Sequence, residues 1–314
     1  MQEWIVAESD AGMRLDLWLA RRAGAGSRSR ASAWIERGKV FLGGTPAGMR
    51  EASRRLAVGA HVGVWMDRPG SARASDRAAQ DGLHLLQLVH EDAAVLAADK
   101  PPGLLVEPLP GREGEEVTLL DLLAQHVRHE PHAQCFVVHR IDRDTSGLVL
   151  FARSADARDD LKDQFEQRTP LRVYQAVLEG RLEPPRGTWR DELAWDPERL
   201  RQRRAHATDA RAKDAVSRYA VIEQFPEAAL VEVTLVTGKR NQIRVQAGMR
   251  GHPVRGERQY RFGAPPEPEG LPRIDRQALH AWRLGFRHPS TGAEILLTAE
   301  LPADFTQLLR ALRR

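Results

Sequence analysis

The sequence has a single cysteine, Cys135, among its 314 residues. An intrachain disulfide is therefore impossible, and zinc sites built from several thiolates are excluded. One thiol suits a reducing compartment, and the expected location is the cytoplasm. No apolar run approaches the roughly 18 residues of a membrane-spanning helix. The first ten residues, MQEWIVAESD, are acidic and lack the long apolar stretch of a secretory signal. Cofactor signatures are missing too. Thr237-Gly238-Lys239-Arg240 holds a Gly-Lys pair, but the upstream glycine and the Ser/Thr of a phosphate-binding loop are absent. No G-x-G-x-x-G follows an expected strand. There is no H-E-x-x-H and no G-x-S-x-G, and the eleven histidines are scattered. The expectation is a protein without metal or cofactor.

What is present is ordinary in bulk and uneven in charge. Hydrophobic content is 42% and charged content 29%, normal for a globular chain, and the length suits two domains. Residues 1–68 carry eleven Lys/Arg against seven Asp/Glu, which is the whole net charge of +4; the remainder is balanced. Residues 69–82 are small and polar, with Pro69 and Gly70 at one end and Gly82 at the other, and read as a linker. The expected organisation is a small α+β domain at 1–68, this linker, and an α+β domain with a mixed or antiparallel sheet at 83–314.

In the first domain, Leu15, Trp18 and Leu19 share one face of a helix expected at Met13–Ala23. Ser29 is expected to cap a second helix carrying Ala33, Trp34 and Ile35, which Gly38 ends. A strand at 39–42, a Gly43-Gly44 turn and a strand at 60–65 follow. Arg14, Arg21, Arg22, Arg28, Arg30, Arg37 and Lys39 lie on or beside the two helices, a pattern that suits phosphate contacts as well as a solvated surface. Arg14-Leu15-Asp16, Ser27-Arg28-Ser29-Arg30 and Ile35-Glu36-Arg37-Gly38-Lys39-Val40 with the Gly-Gly turn resemble the S-four-type RNA-binding domain over about residues 12–66.

In the second domain, strands are expected at 84–89, 94–98, 147–152, 173–178, 217–222 and 229–236. Helices are expected at 118–128, from Ser154 to about 168, and at 301–312. The continuous apolar run 147–152 follows the polar segment His139-Arg140-Ile141-Asp142-Arg143-Asp144-Thr145-Ser146-Gly147. A loop at the end of a buried strand is a good place for a working side chain, though by itself this one also reads as a turn of local ion pairs. The segment resembles the signature of the RluA-type pseudouridine synthases. Four further stretches match in order: Glu91 to Gly103, with Lys100-Pro101-Pro102-Gly103; Arg172-Val173-Tyr174-Gln175-Ala176-Val177; Thr237 to Val245, continuing to Gly251-His252-Pro253; and Leu279-His280-Ala281 with His288-Pro289-Ser290-Thr291-Gly292. Together they cover about residues 84–310.

The resemblance implies an isomerase that cuts the bond from ribose to uracil nitrogen and rejoins the base through a ring carbon. That reaction needs no cofactor. By resemblance Asp142 is the nucleophile, Arg244 orients its carboxylate, and Tyr174 stacks on the uracil and is a proposed base. The target uridine has to leave its stack, and Arg140 is expected to contact the RNA backbone or fill the vacated space. Arg14, Arg28, Arg30, Arg37 and Lys39 are the expected RNA contacts of the first domain. Ribosomal RNA of the large subunit is the expected target, with transfer RNA as the other structured candidate; the protein is expected to be a monomer with no membrane partner. Asn241, Gln246 and Glu257 depart from the usual pattern, where two histidines and an aspartate are common. Two rivals predict different outcomes: an RNA-binding or assembly protein without activity, and a glycosidic-bond hydrolase, which usually needs a second carboxylate.

Overall fold

The computed structural model describes residues 2–36, 38–65, 82–109, 116–130, 134–206, 208–264 and 272–314. Cα proximity divides the chain into two units, Met1–Ala78 and Ala79–Arg314. The expected linker lies outside the described residues except for Gly82, and so does Arg37.

The smaller unit contains β1 (Gln2–Ile5), α1 (Leu15–Arg21), α2 (Arg28–Glu36), β2 (Val40–Leu42), β3 (Thr45–Pro46) and β4 (His61–Val64). Its four strands run in the order β1-β4-β2-β3, all antiparallel. Leu15, Trp18 and Leu19 of α1 join Ala31 and Ile35 of α2 and Val40, Val62 and Val64 in one buried core. Helix α2 starts earlier than the sequence suggested. Ser27 Oγ accepts from the Arg30 amide at 3.2 Å, so Ser27 rather than Ser29 supplies the cap. Both serines have the right chemistry; Gly26, with φ of 74°, turns the chain just before Ser27.

The larger unit holds eleven strands among the described residues: β5 (Leu88–Glu91), β6 (Val95–Lys100), β7 (Phe136–Val137), β8 (Ser146–Ala152), β9 (Leu171–Glu179), β10 (Arg186–Asp196), β11 (Arg201–Arg204), β12 (Lys213–Gln224), β13 (Ala228–Leu235), β14 (Leu279–Arg287) and β15 (Glu294–Thr298). Its helices are α3 (Leu119–His126), α4 (Ala155–Glu166), α5 (Gln242–Gly248) and α6 (Ala303–Leu312). The main path runs β11-β10-β12-β13-β9-β14-β8-β6-β5, with β15 on β14 and β7 on β8. Among the described residues β14 and β8 are the one pair of strands that run parallel, so the sheet is mixed and the unit is α+β.

Strand β8 shows why its sequence is continuously apolar. Val149 and Phe151 point into a core with α3 and α6, while Leu148, Leu150 and Ala152 point into another with Leu161 of α4. A strand covered on both faces has no polar side to alternate with. The strand expected at 84–89 begins at Leu88 instead, after a short 3-10 turn at Leu83–Leu85. Strands β7, β10, β11, β14 and β15 and helix α5 are additional to the elements expected from the sequence.

Candidate active site

The segment 139–145 is a loop that the structure fixes at nearly every residue. Thr145 N donates to Asp142 O at 3.1 Å, closing a tight turn. Lys100, at the end of β6 and fully buried, donates its three ammonium hydrogens to Pro101 O, Leu104 O and Arg143 O at 2.8, 2.8 and 2.7 Å. Burial pushes its pKa down to about 7, against the pull of Asp144 and Asp142. Arg276 holds the other side: its guanidinium donates to Asp144 O at 3.1 Å and bidentately to Asp304 of α6 at 2.6 and 2.9 Å. Ser146 Oγ meets His280 Nδ1 at 2.9 Å. Gly147 then passes β14 with φ of 110°; a Cβ there would sit 2.3 Å from Ala281 O. Only glycine fits that crossing.

His139 accepts the Leu150 amide on Nε2 at 3.1 Å and stacks on Phe165 at 4.7 Å. Burial lowers its pKa to about 3, so it is neutral and structural. Arg140 is half exposed and paired with Glu107 at 2.7 Å. Arg143 turns away to Glu116, at 2.6 and 2.8 Å.

This scaffold presents the Asp142 carboxylate to Arg244, a partner 102 residues away: Arg244 NH1 donates to Asp142 Oδ2 at 3.0 Å. Arg244 projects from α5, whose entry Gln242 secures. Gln242 Oε1 accepts from Thr237 Oγ1 and Lys239 N at 2.8 and 2.9 Å, and its amide donates to Val216 O and Ser217 Oγ of β12. Behind Arg244 stands Glu257, its side chain wholly buried, which accepts from Nε and NH2 at 2.6 and 2.9 Å. The amides of Gln259 and Tyr260 also donate to Glu257. Burial opposes both charges, but their hydrogen bonds and mutual attraction win: Glu257 lies below and Arg244 above its ordinary pKa. The Tyr260 ring packs 5.1 Å from the Arg244 guanidinium carbon.

The three departures from the family pattern are thus built into the site's support. Glu257 is the carboxylate that clamps Arg244. Asn241, at the left-handed start of α5, accepts from Tyr260 Oη at 2.9 Å. Gln246 accepts from Ser217 Oγ at 2.7 Å and donates to Asp191 and Ala215 O at 2.8 and 3.0 Å.

Tyr174 of β9 is buried in the main core with no hydrogen-bond partner among the described residues. Burial pushes its phenol up to about 12; Arg172 pulls it down and Asp142 pushes it further up, which places all three groups within electrostatic reach. The structure therefore brings Asp142, Arg244 and Tyr174 together. Lys100, Gln242, Tyr260 and Arg276 were missed as supports. Lys100 and Gln242 stood within quoted motifs, whereas nothing local marks Tyr260 or Arg276.

In the smaller unit, Arg14 and Arg28 converge on Asp16, each with a contact of 3.0 Å, and both stay substantially exposed. Arg30 is exposed and lies two residues beyond Arg28, about 200° around the helix at about 100° per residue, so it faces elsewhere. Lys39 lies at the entry to β2, half-buried.

The chain was compared with known proteins. A family profile described as RNA pseudouridylate synthase matches residues 94–248, and one described as S4 domain matches residues 13–48. A Nitrosomonas europaea protein named ribosomal large subunit pseudouridine synthase D is 34% identical, over 99% of this chain and 88% of its own. Uncharacterized RNA pseudouridine synthase YlyB of Bacillus subtilis is 32% identical, over 98% and 97%. Human RNA pseudouridylate synthase domain containing 4 shares the fold, with a TM-score of 0.61 over 76% of this chain and 97% of its own, at 23% identity. With its loop, its paired arginine and its small basic unit in place, the chain belongs to the RluA-type RNA pseudouridine synthase family, and carries the S4 RNA-binding domain.

Proposed function

We propose that this protein converts uridine to pseudouridine in large-subunit ribosomal RNA, with Asp142 as the nucleophile. The observation that carries the residue assignment is the chain Asp142–Arg244–Glu257. Arg244 makes one contact to Asp142 and two to a wholly buried carboxylate, so Glu257 fixes the guanidinium and the guanidinium aims Asp142. The second oxygen of Asp142 is left for chemistry. The RNA assignment rests on the S4 unit and on relatives named for the large ribosomal subunit.

In this reading the target base leaves its stack, and the vacated space is filled by Arg140 swinging away from Glu107. Asp142 then drives cleavage of the N1–C1′ bond, by attack on C1′ or through elimination to a glycal. The uracil turns and its C5 bonds to C1′, displacing the Asp142 carboxylate where an ester had formed, or adding to the glycal as the C2′ proton is returned. The C5 proton is then lost and N1 of the product is protonated. Tyr174 offers its ring to the base. Its phenol, pushed up to about 12, is protonated at neutral pH, so it takes the C5 proton only as its own proton passes on to the turned base, whose N1 gains one in the product. Arg14, Arg28, Arg30, Arg37 and Lys39 bind the RNA backbone through the S4 unit. The protein acts as a cytoplasmic monomer without metal or cofactor.

The test uses unmodified ribosomal and transfer RNA transcripts carrying tritium at uracil C5. Tritium release from the large-subunit transcript, lost in Asp142→Asn without free uracil, is the expected result. No release from any of these RNAs overturns the proposal. Free uracil points to a hydrolase, and release from transfer RNA alone moves the substrate.

A further inference from the structure

Arg172 is a buried cation beside the candidate site that the reading above leaves unused. It lies two residues before Tyr174 on β9, and its side chain is only 8% exposed. Its Nε has no hydrogen-bond partner, and its single polar contact is a long one, 3.5 Å from NH2 to Val236 O. No carboxylate pairs with it among the described residues. Such a group is expensive, because burial strips water from a charge that nothing in the fold neutralises. The four guanidiniums on or bound to the catalytic loop each have an acidic partner: Glu107 for Arg140, Glu116 for Arg143, Asp142 and Glu257 for Arg244, and Asp304 for Arg276.

The surroundings add positive charge. Arg168, at the end of the segment after α4, lies within electrostatic reach of Arg172. Lys239 is within reach of Arg172, Arg168 and Lys213, with Asp214 as the opposing acid. None of these four cations makes an ion pair among the described residues. They come from three stretches of the chain, one holding Arg168 and Arg172 and the others Lys213 and Lys239, so the cluster is made by the tertiary fold and not by a single run of sequence. It also opens outward. Arg172 NH1 lies against Gly238, which is exposed, so closely that a Cβ at 238 would approach it to 2.4 Å. Below, the guanidinium covers the Phe165 ring at 5.5 Å, and His139 of the catalytic loop stacks on that same ring at 4.7 Å. The site thus adjoins both Tyr174 and the Asp142 loop.

We propose that Arg172, with Lys239 and Arg168, forms an anion site for a backbone phosphate of the bound RNA, next to the nucleotide that enters the active site. This rests on RNA being the substrate. The phosphate brings the counter-charge that the fold withholds, and Gly238 leaves the space by which it approaches. A guanidinium suits the task because it can give two parallel hydrogen bonds to phosphate oxygens. The glycine keeps the approach clear, which gives the Thr237-Gly238-Lys239 turn a role beside that of anchoring α5.

The test compares full-length wild type, Arg172→Met and Lys239→Gln. Methionine keeps the apolar cover on Phe165 while removing the charge. Binding of a fluorescent single-stranded uridine oligonucleotide is measured across a salt series, and tritium release from the large-subunit transcript gives kcat and KM. Each lost phosphate contact should lower the slope of log affinity against log salt by about 0.7. The expected result is that drop for either variant, with affinity about tenfold weaker for Arg172→Met and the larger share of its kinetic loss in KM. An unchanged slope in both variants overturns the site. A loss confined to kcat, with the slope unchanged, overturns it too and makes Arg172 a partner of Tyr174. Should Arg172→Met fail to fold, Lys239→Gln decides alone by the same criterion. Wild type that binds with a normal slope but releases no tritium counts against the proposed reaction and leaves the phosphate site standing.

Discussion

Replacing Glu257 by glutamine changes one atom and should cripple the site from behind. Glu257 Oε1 accepts from Arg244 NH2 and from the amides of Gln259 and Tyr260, and Oε2 accepts from Arg244 Nε at 2.6 Å. An amide NH2 has to take one of those positions. At Oε1 it would face three N–H donors, so it takes Oε2 and opposes the Arg244 Nε–H. The variant loses the shortest contact of the pair and the charge beneath a nearly buried guanidinium. Removing one partner of a buried pair costs about 3–5 kcal/mol. Some charge compensation remains through Asp142, so the low end applies, about 3 kcal/mol. For a unit of this size each kcal/mol moves the midpoint by roughly 2–4 °C, which gives a fall of about 6–12 °C. Activity suffers separately, because the guanidinium that aims Asp142 is no longer clamped; a displacement of about 1 Å costs on the order of 100-fold. Thermal unfolding followed by circular dichroism, with tritium release at a temperature where both proteins are folded, reads the two effects. Glu257→Asp keeps the charge and should recover most of the stability. A Glu257→Gln loss below about 0.5 kcal/mol with full activity would refute the clamp.

Other outcomes follow from the same geometry. Gly147→Ala forces a Cβ onto Ala281 O at a positive φ, and urea unfolding should show a loss of about 3 kcal/mol or more; a neutral result would mean that β8 and β14 do not cross so closely. His280 is wholly buried between Ser146 and Ala299, and burial lowers its pKa to about 4. Its folded pKa lies below the unfolded value of about 6.5, so its contribution is intact above pH 6.5 and is lost as pH falls from there toward 4. Across pH 6.5 to 4.5, His280→Gln should therefore flatten the acid limb of stability by about 2–3 kcal/mol, and an unchanged limb would contradict a neutral buried imidazole. Lys100→Met leaves three carbonyl oxygens of the loop region without their donor, so it should lower thermal stability by about 3 kcal/mol and also reduce tritium release; a loss of stability with undiminished release would show that the loop does not depend on this tie.

How much of this was legible in the sequence depended on the range of the interaction. The core helices were readable because their apolar spacing is local. Strand β8 was readable because burial on both faces leaves an unbroken apolar run. Strands β14 and β15 were not, although β14 pairs in parallel with β8: Leu279–Arg287 mixes buried His280 with exposed Arg283, and its period is broken by a register shift between Ala281 and Arg283. Ser27 and Ser29 offer the same capping chemistry two residues apart, so residue type alone could not choose between them. Asp142 and Arg244 stand 102 residues apart, so no spacing rule joins them. Their pairing was reachable only because both lay in motifs resembling one family.

The loop carrying Asp142 also explains why its supports escaped a reading of its own sequence. Its local charges do not stabilise each other: Arg140 and Arg143 leave for Glu107 and Glu116. What orders the loop is a pair of long cations from elsewhere, Lys100 and Arg276, that bind backbone oxygens of Arg143 and Asp144 rather than side chains. Backbone acceptors carry no sequence signature, so the residues they belong to do not advertise the contact. The consequence for function is separation of duties. Because the neighbouring carbonyls take the structural bonds, the Asp142 carboxylate makes one side-chain contact among the described residues, to Arg244, and its other oxygen is left over. Under the proposed function that is the oxygen that serves the reaction; a loop held instead by its own carboxylates would have used it for folding.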